Sequence, residues 1–111
     1  MKIFLSQPMN GRSEEDLKKE REEVSSTIRD IYKDIDVEII DTLIPESYDE
    51  KHLGLKYLAE SIRLLDEADE IWMLPGWENA RGCKIELACA KSYGISVKGY
   101  SIEKYISNLD R

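Results

Sequence analysis

Apolar residues recur along this chain in two rhythms that alternate from one end to the other. Ile3-Phe4-Leu5 is a short apolar run that predicts a strand over Lys2–Ser6, ended by Gln7-Pro8 and the turn residues Asn10-Gly11. Ser13 followed by Asp16 is an N-cap signature. Leu17, Val24, Ile28 and Ile31 then fall at helical spacing among Glu and Lys, which predicts a surface helix with one narrow stripe on a sheet. Asp36–Asp41 reads as a second strand around Val37-Glu38-Ile39-Ile40. A polar loop with Pro45 leads to a helix lined by Leu55, Leu58, Ala59, Ile62 and Leu65. Glu70–Leu74 predicts a third strand with Trp72 in the core, Cys83–Tyr93 a third helix, and Ile95–Val97 a last short strand. Ser101–Leu109 suits one or two further helical turns.

Such alternation predicts an α/β fold in one domain over residues 1–111, a three-layer arrangement with a four-stranded parallel sheet. Ligands of such sheets bind beyond the carboxyl ends of the strands, where the strand order reverses. Two loops are expected to meet there: Ser6-Gln7-Pro8-Met9-Asn10-Gly11 after the first strand, and Pro75 to Gly82 after the third.

The third helix carries a carboxylate on its apolar side. At about 100° per residue, Lys84 and Lys91 fall together and face water. Glu86 falls opposite them, between Cys83, Cys89, Ala90 and Tyr93. A buried Glu costs free energy unless it is paired or has work to do. One reading is structural, a carboxylate capping a loop or bonded to backbone amides. The other is a general base or nucleophile at the mouth of a pocket. The helix start lowers the pKa of such a group and desolvation raises it. Gly82, one turn earlier, would leave the approach of roughly 3 Å that attack requires.

Composition narrows the partners. The chain has 111 residues and a net charge of -7, with no run of Lys or Arg, which argues against a nucleic-acid polymer. No apolar run suits a signal peptide or a membrane span, so a cytoplasmic location is expected. Cys83 and Cys89 lie about 9 Å apart along one helix and cannot pair. Two thiols with the single His52 do not make a zinc site, so buried reduced thiols are expected and no metal or cofactor is implied. His52 sits in the charged segment Asp49-Glu50-Lys51 and is expected to be solvated.

Several neighbours have two readings each. Arg81 at the helix start suits a phosphate or carboxylate, or a surface ion pair. Trp77, expected to be exposed in a glycine-bounded loop, suits a planar ligand or a subunit contact, for which Tyr93 is a second candidate. Ser6 and Gln7 suit a sugar or base, or a strand cap. With Pro8, Gly11, Asn79 and Gly82, these residues form the candidate binding set around Glu86.

Three stretches also resemble a known family: Ile3-Phe4-Leu5-Ser6-Gln7-Pro8-Met9-Asn10-Gly11, Leu64-Leu65-Asp66-Glu67-Ala68-Asp69-Glu70-Ile71, and Gly82-Cys83-Lys84-Ile85-Glu86-Leu87-Ala88-Cys89-Ala90. Together they look like the nucleoside 2-deoxyribosyltransferase-like superfamily. Pro75 to Cys83 with the following Glu is similar, more narrowly, to the DUF4406 domain. The resemblance implies a flavodoxin-like, Rossmann-like sheet and a glycosidic-bond reaction. In it, the Glu of a Gly-x-x-x-Glu motif, here Glu86, attacks the anomeric carbon and expels the base, in the manner of retaining glycoside chemistry. It also implies a homodimer or larger homo-oligomer. Family enzymes carry an acidic residue just before the motif glycine, where this chain has Asn79, Ala80 and Arg81. They carry an Asp on the preceding helix, where it has Ser61 beside Glu60. Arg81 and Ser61 would favour a phosphorylated ligand, as in the 5′-monophosphate N-glycosidases of that superfamily.

The expected function is therefore an N-glycosidic-bond enzyme, a deoxyribosyltransferase or a nucleoside 5′-monophosphate N-glycosidase, with Glu86 as nucleophile. One alternative is a catalytically silent module that senses or sequesters a nucleotide-derived small molecule. Another is a structural or partner-binding domain with Glu86 paired internally.

Overall fold

The computed structural model describes residues 1–42 and 53–100. Pro45, His52 and the turns expected after Ser101 lie outside them. The elements are β1 (Lys2–Ser6), α1 (Glu14–Ile31), β2 (Glu38–Ile39), α2 (Leu53–Leu65), β3 (Glu70–Met73), α3 (Arg81–Ser92) and β4 (Ser96–Gly99), with one 3-10 turn at Trp77–Asn79. All strand pairs are parallel and the order is β2-β1-β3-β4, a flavodoxin-like sheet.

β1 is central, and its alternation sorts the two faces. Ile3 and Leu5 pack with Val24 and Ile28 of α1. Phe4 packs with Leu65 of α2 and with Cys83, Leu87 and Ala90 of α3. One helix therefore covers one face and two cover the other, as right-handed crossovers in this strand order require. Ser6, the next residue on the α2–α3 side, is fully buried.

Several boundaries and faces differ from the sequence reading. β2 is only two residues long. Ile40 still donates its N–H to Ile3 O (2.9 Å), but its own carbonyl accepts from Arg21 Nη2 (3.1 Å), which diverts the chain from the ladder. Arg21 was not expected inside. It is buried on α1, bonded also to Thr42 Oγ1 (3.0 Å), and desolvation pulls its pKa below the ordinary value. Ile31 is exposed because the α1 stripe ends at Ile28. On α2 the inward line runs through Ser61 and Leu65, so Ala59 is exposed and Leu55 is 64% exposed. Ser13 is the N-cap of α1, its hydroxyl accepting from the Asp16 N–H (3.1 Å).

Trp72 is half-buried on the α1 side, its indole N–H bonded to Glu70 Oε1 (2.7 Å). The Tyr32 hydroxyl donates to the same carboxylate (2.7 and 3.0 Å), and desolvation with that bond pushes the phenol up to about 12.

β4 ends on Gly99 at φ +120°, where a Cβ would stand 2.4 Å from Met73 O and 2.5 Å from Met73 N. Backbone occupies that space, so no side chain can yield. Gly99→Ala is expected to destabilise the domain by at least about 2 kcal/mol. Gly82→Ala, whose Cβ meets only Leu58 Cδ1 at 4.0 Å, is expected to melt close to wild type. Paired thermal or urea unfolding of the two variants checks this contrast.

Candidate functional site

The strand order reverses between β1 and β3: α1 carries the chain from β1 outward to β2, while α3 carries it from β3 the other way to β4. In sheets of this kind ligands lie beyond that point, and here the paired strand ends are Ser6 and Met73. The two loops leaving them meet, since a Cβ on Gly76 would lie 3.6 Å from Pro8 Cγ. Arg12 braces the first loop, donating from Nη1 to Pro8 O (3.0 Å) and to Glu20 Oε1 (2.9 Å).

Glu86 is 7% exposed on α3. The Ser6 hydroxyl donates to its Oε1 at 2.7 Å, from a residue 80 positions away in the chain. Ser61 of α2 supplies a second hydroxyl. Three elements thus converge on one carboxylate, whose partners are side-chain hydroxyls. Burial pushes its pKa up to about 7, and the bonds from Ser6 and Ser61 pull in the opposite direction. Of the two opposing effects anticipated at a helix start, desolvation prevails.

Cys83, one turn earlier on the same helix, is a buried free thiol in the core, as expected. Desolvation pushes its pKa up to about 11, with the Ser6 hydroxyl opposing and the Glu86 charge raising it further. Cys89 is half-buried and Tyr93 is 84% exposed, so the apolar arc drawn to Tyr93 stops at Ala90.

Trp77 requires a correction. Expected on the surface as a stacking platform or subunit contact, it is 2% exposed and packs in the core with Phe4, Met73 and Leu87. Its indole N–H donates to Tyr100 O (2.6 Å). Gly76 at φ +88° turns the chain, and the 3-10 turn then tucks the ring beneath the loop.

The remaining candidates divide. Gln7 is buried but its amide is turned to α1, where Nε2 donates to Leu17 O (3.0 Å) and Glu20 Oε1 (2.9 Å). Its Oε1 is the one buried side-chain polar atom without a partner among the described residues. Gly11 and Asn79 are exposed and Pro8 is half-buried at the rim. Arg81, the first residue of α3, is exposed with no ion pair to a described residue. The N-cap Ala80 offers no side-chain cap, so the first amides of α3 keep their unpaired donors beside that guanidinium. Ser6, Ser61 and Glu86 are therefore brought together. Arg81 and Gly82 stand at the start of the helix that carries Glu86, and Trp77 and the Gln7 amide are directed elsewhere. Among the described residues, no group of His, Cys, Asp and Glu is placed to hold a metal ion, and no helix is long and apolar enough to cross a membrane.

Fold and site together define a parallel α/β domain with a buried carboxylate at its switch point. The chain belongs to the DUF4406 family: the family model, described as a domain of unknown function, matches residues 1–99. No curated protein and no solved structure matches the chain.

The raised Glu86 pKa has a consequence for stability. Between the ordinary value of 4.5 and about 7, the folded state binds more protons than the unfolded state. The stabilising contribution is complete below 4.5 and is lost as pH rises through 7. Glu86→Gln cannot titrate, so its stability relative to wild type is expected to climb across this window, by up to roughly 3 kcal/mol at full ionisation. Melting both proteins at several pH values checks it; a pH-independent difference would place the carboxylate in water.

Proposed function

We propose that this domain cleaves or exchanges the N-glycosidic bond of a nucleoside or nucleoside 5′-monophosphate, with Glu86 as the nucleophile. The observation that carries the reading is a desiccated carboxylate, 7% exposed, held by two hydroxyls at the carboxyl end of the central strand. A carboxylate in such surroundings is an activated nucleophile when ionised. The likeness to the nucleoside 2-deoxyribosyltransferase-like superfamily supports the same assignment.

In the proposed step an oxygen of Glu86 forms a bond to the anomeric carbon as the bond to the base nitrogen breaks. The electron pair leaves with the base, which takes up a proton. Water, or a second base, then attacks the anomeric carbon of the glycosyl ester, and its electron pair returns to Glu86. Arg81 and the uncapped amides of α3 suit the 5′-phosphate. No cofactor or metal enters this scheme. Water reaches a buried nucleophile only as the site admits it, and a cytoplasmic homo-oligomer, with the exposed Tyr93 as a contact, completes the proposal.

A second reading is favoured by what surrounds the motif. Asn79, Ala80 and Arg81 supply no acid for the departing base, and Ser61 replaces a sugar-binding carboxylate. These substitutions suit a silent module that binds a nucleotide-derived molecule.

Incubation with ribo- and deoxyribonucleosides and their 5′-monophosphates, followed by chromatography of free base, separates the readings. Base release is expected, and Glu86→Gln should remove it while preserving binding. Turnover that persists in Glu86→Gln overturns the enzymatic reading. A ligand-dependent thermal shift without base release transfers the assignment to the binding module.

A further inference from the structure

Gln7 and Pro8, the first two residues beyond the paired part of β1, are both held to one oxygen of a carboxylate outside the site, Glu20 Oε1. Gln7 reaches it directly, Nε2 donating at 2.9 Å. Pro8 reaches it through Arg12, whose Nη1 donates to Pro8 O at 3.0 Å and to Glu20 Oε1 at 2.9 Å. Because Gln7 and Pro8 are consecutive, these contacts close a ring around the start of the first loop. Proline has no backbone N–H, so the Pro8 carbonyl is the one backbone group by which that residue can be tied.

The Gln7 amide shows how the ring depends on Glu20. The residue is 5% exposed, and its Oε1 has no partner among the described residues. A buried acceptor without a donor costs free energy. Turning the amide over would not relieve it, because the oxygen would then meet the Leu17 carbonyl and the Glu20 carboxylate, both acceptors. The amide's hydrogen bonds are therefore all made by its nitrogen, one to Leu17 O and one to Glu20 Oε1.

What the ring places is the rim of the site. Pro8 Cγ lies 3.6 Å from where a Cβ on Gly76 would stand, so the first loop bounds the second. The second loop has a buried anchor of its own in Trp77, 2% exposed. Between Gln7 and Ser13 the first loop has none: Pro8, Met9 and Arg12 are half-buried, and Asn10 and Gly11 are exposed. We infer that Glu20 is a positioning residue, holding the first loop against the second so that the rim keeps one shape. Ser6 and Glu86 belong to β1 and α3 and are placed without it. The consequence for ligand capture rests on the function proposed above, whereas the placement of the loops does not.

The loops are tested first with no ligand, by the backbone amide signals of nitrogen-15-labelled protein. In Glu20→Ala the signals of Met9–Gly11 are expected to move, and with them that of Gly76 on the other loop, while those of Ile3–Leu5 stay. Arg12→Ala cuts only the Pro8 arm and should move the same signals, and it decides the matter if Glu20→Ala does not fold. The double variant should match Glu20→Ala, since both substitutions open one ring. A Gly76 signal that stays in place, or shifts that simply add in the double variant, overturns the inference. Base release then separates positioning from a merely structural role. KM is expected to rise about tenfold in Glu20→Ala with kcat within about twofold of wild type. Glu20→Gln, which keeps an acceptor oxygen but loses the charge that Arg12 meets, should fall between. A lower kcat at unchanged KM overturns the role. If the wild-type protein releases no base, the glycosidic reading fails, and the Gly76 response still decides for or against Glu20.

Discussion

The hydrogen bond from Ser6 to Glu86 ties the carboxyl end of the central strand to the helix that follows β3, across 80 residues of chain. It is short and dry, and it closes the space between the sheet and the α2–α3 layer at the point where the strand order reverses. An ionised carboxylate in that place is tolerable only because hydroxyls reach it from two other elements. Removing either donor would leave the charge with less compensation. The position of α3, the protonation of Glu86 and the orientation of Ser6 are thus one problem with one solution.

Around this contact the structure spends its polar groups on loop placement. Arg12, Glu20 and Gln7 fasten the first loop to α1, and the Trp77 indole fastens the second to the backbone at Tyr100. Gly99 lets β4 pass close to Met73 so that Tyr100 can be there. The rim is therefore built on regular elements even though its residues are in loops, which suits a site that must hold a reacting group in fixed geometry. The exposed guanidinium of Arg81 and the start of α3, which has no side-chain cap, give that rim a positive edge in a chain of net charge -7.

Much of this was legible from residue patterns. The alternation of strand and helix signals gives the parallel sheet, and the helical wheel alone puts Glu86 inside, because Lys84 and Lys91 must face water. The errors have physical causes. Trp77 reads as a loop residue, and it is one, but the αL turn at Gly76 folds its ring under the loop, which spacing does not reveal. Leu55, Ala59 and Ile31 lie on apolar stripes wider than the surfaces the helices bury, so their ends reach solvent. Arg21 looks like one more surface charge, and only the course of the chain past Ile40 to Thr42 gives its guanidinium acceptors inside. Ser61 came from a resemblance, since a serine on a helix carries no sign of the carboxylate it meets.

The account stands or falls on the state of one carboxyl group. The most direct measurement is the titration of the Glu86 side-chain carbon by NMR in selectively labelled protein, assigned against Glu86→Gln. A midpoint near 7, well above the ordinary 4.5, is the predicted result. A midpoint in the ordinary carboxylate range would mean that Glu86 is hydrated, and would contradict the dry, hydroxyl-held nucleophile from which the proposed chemistry follows.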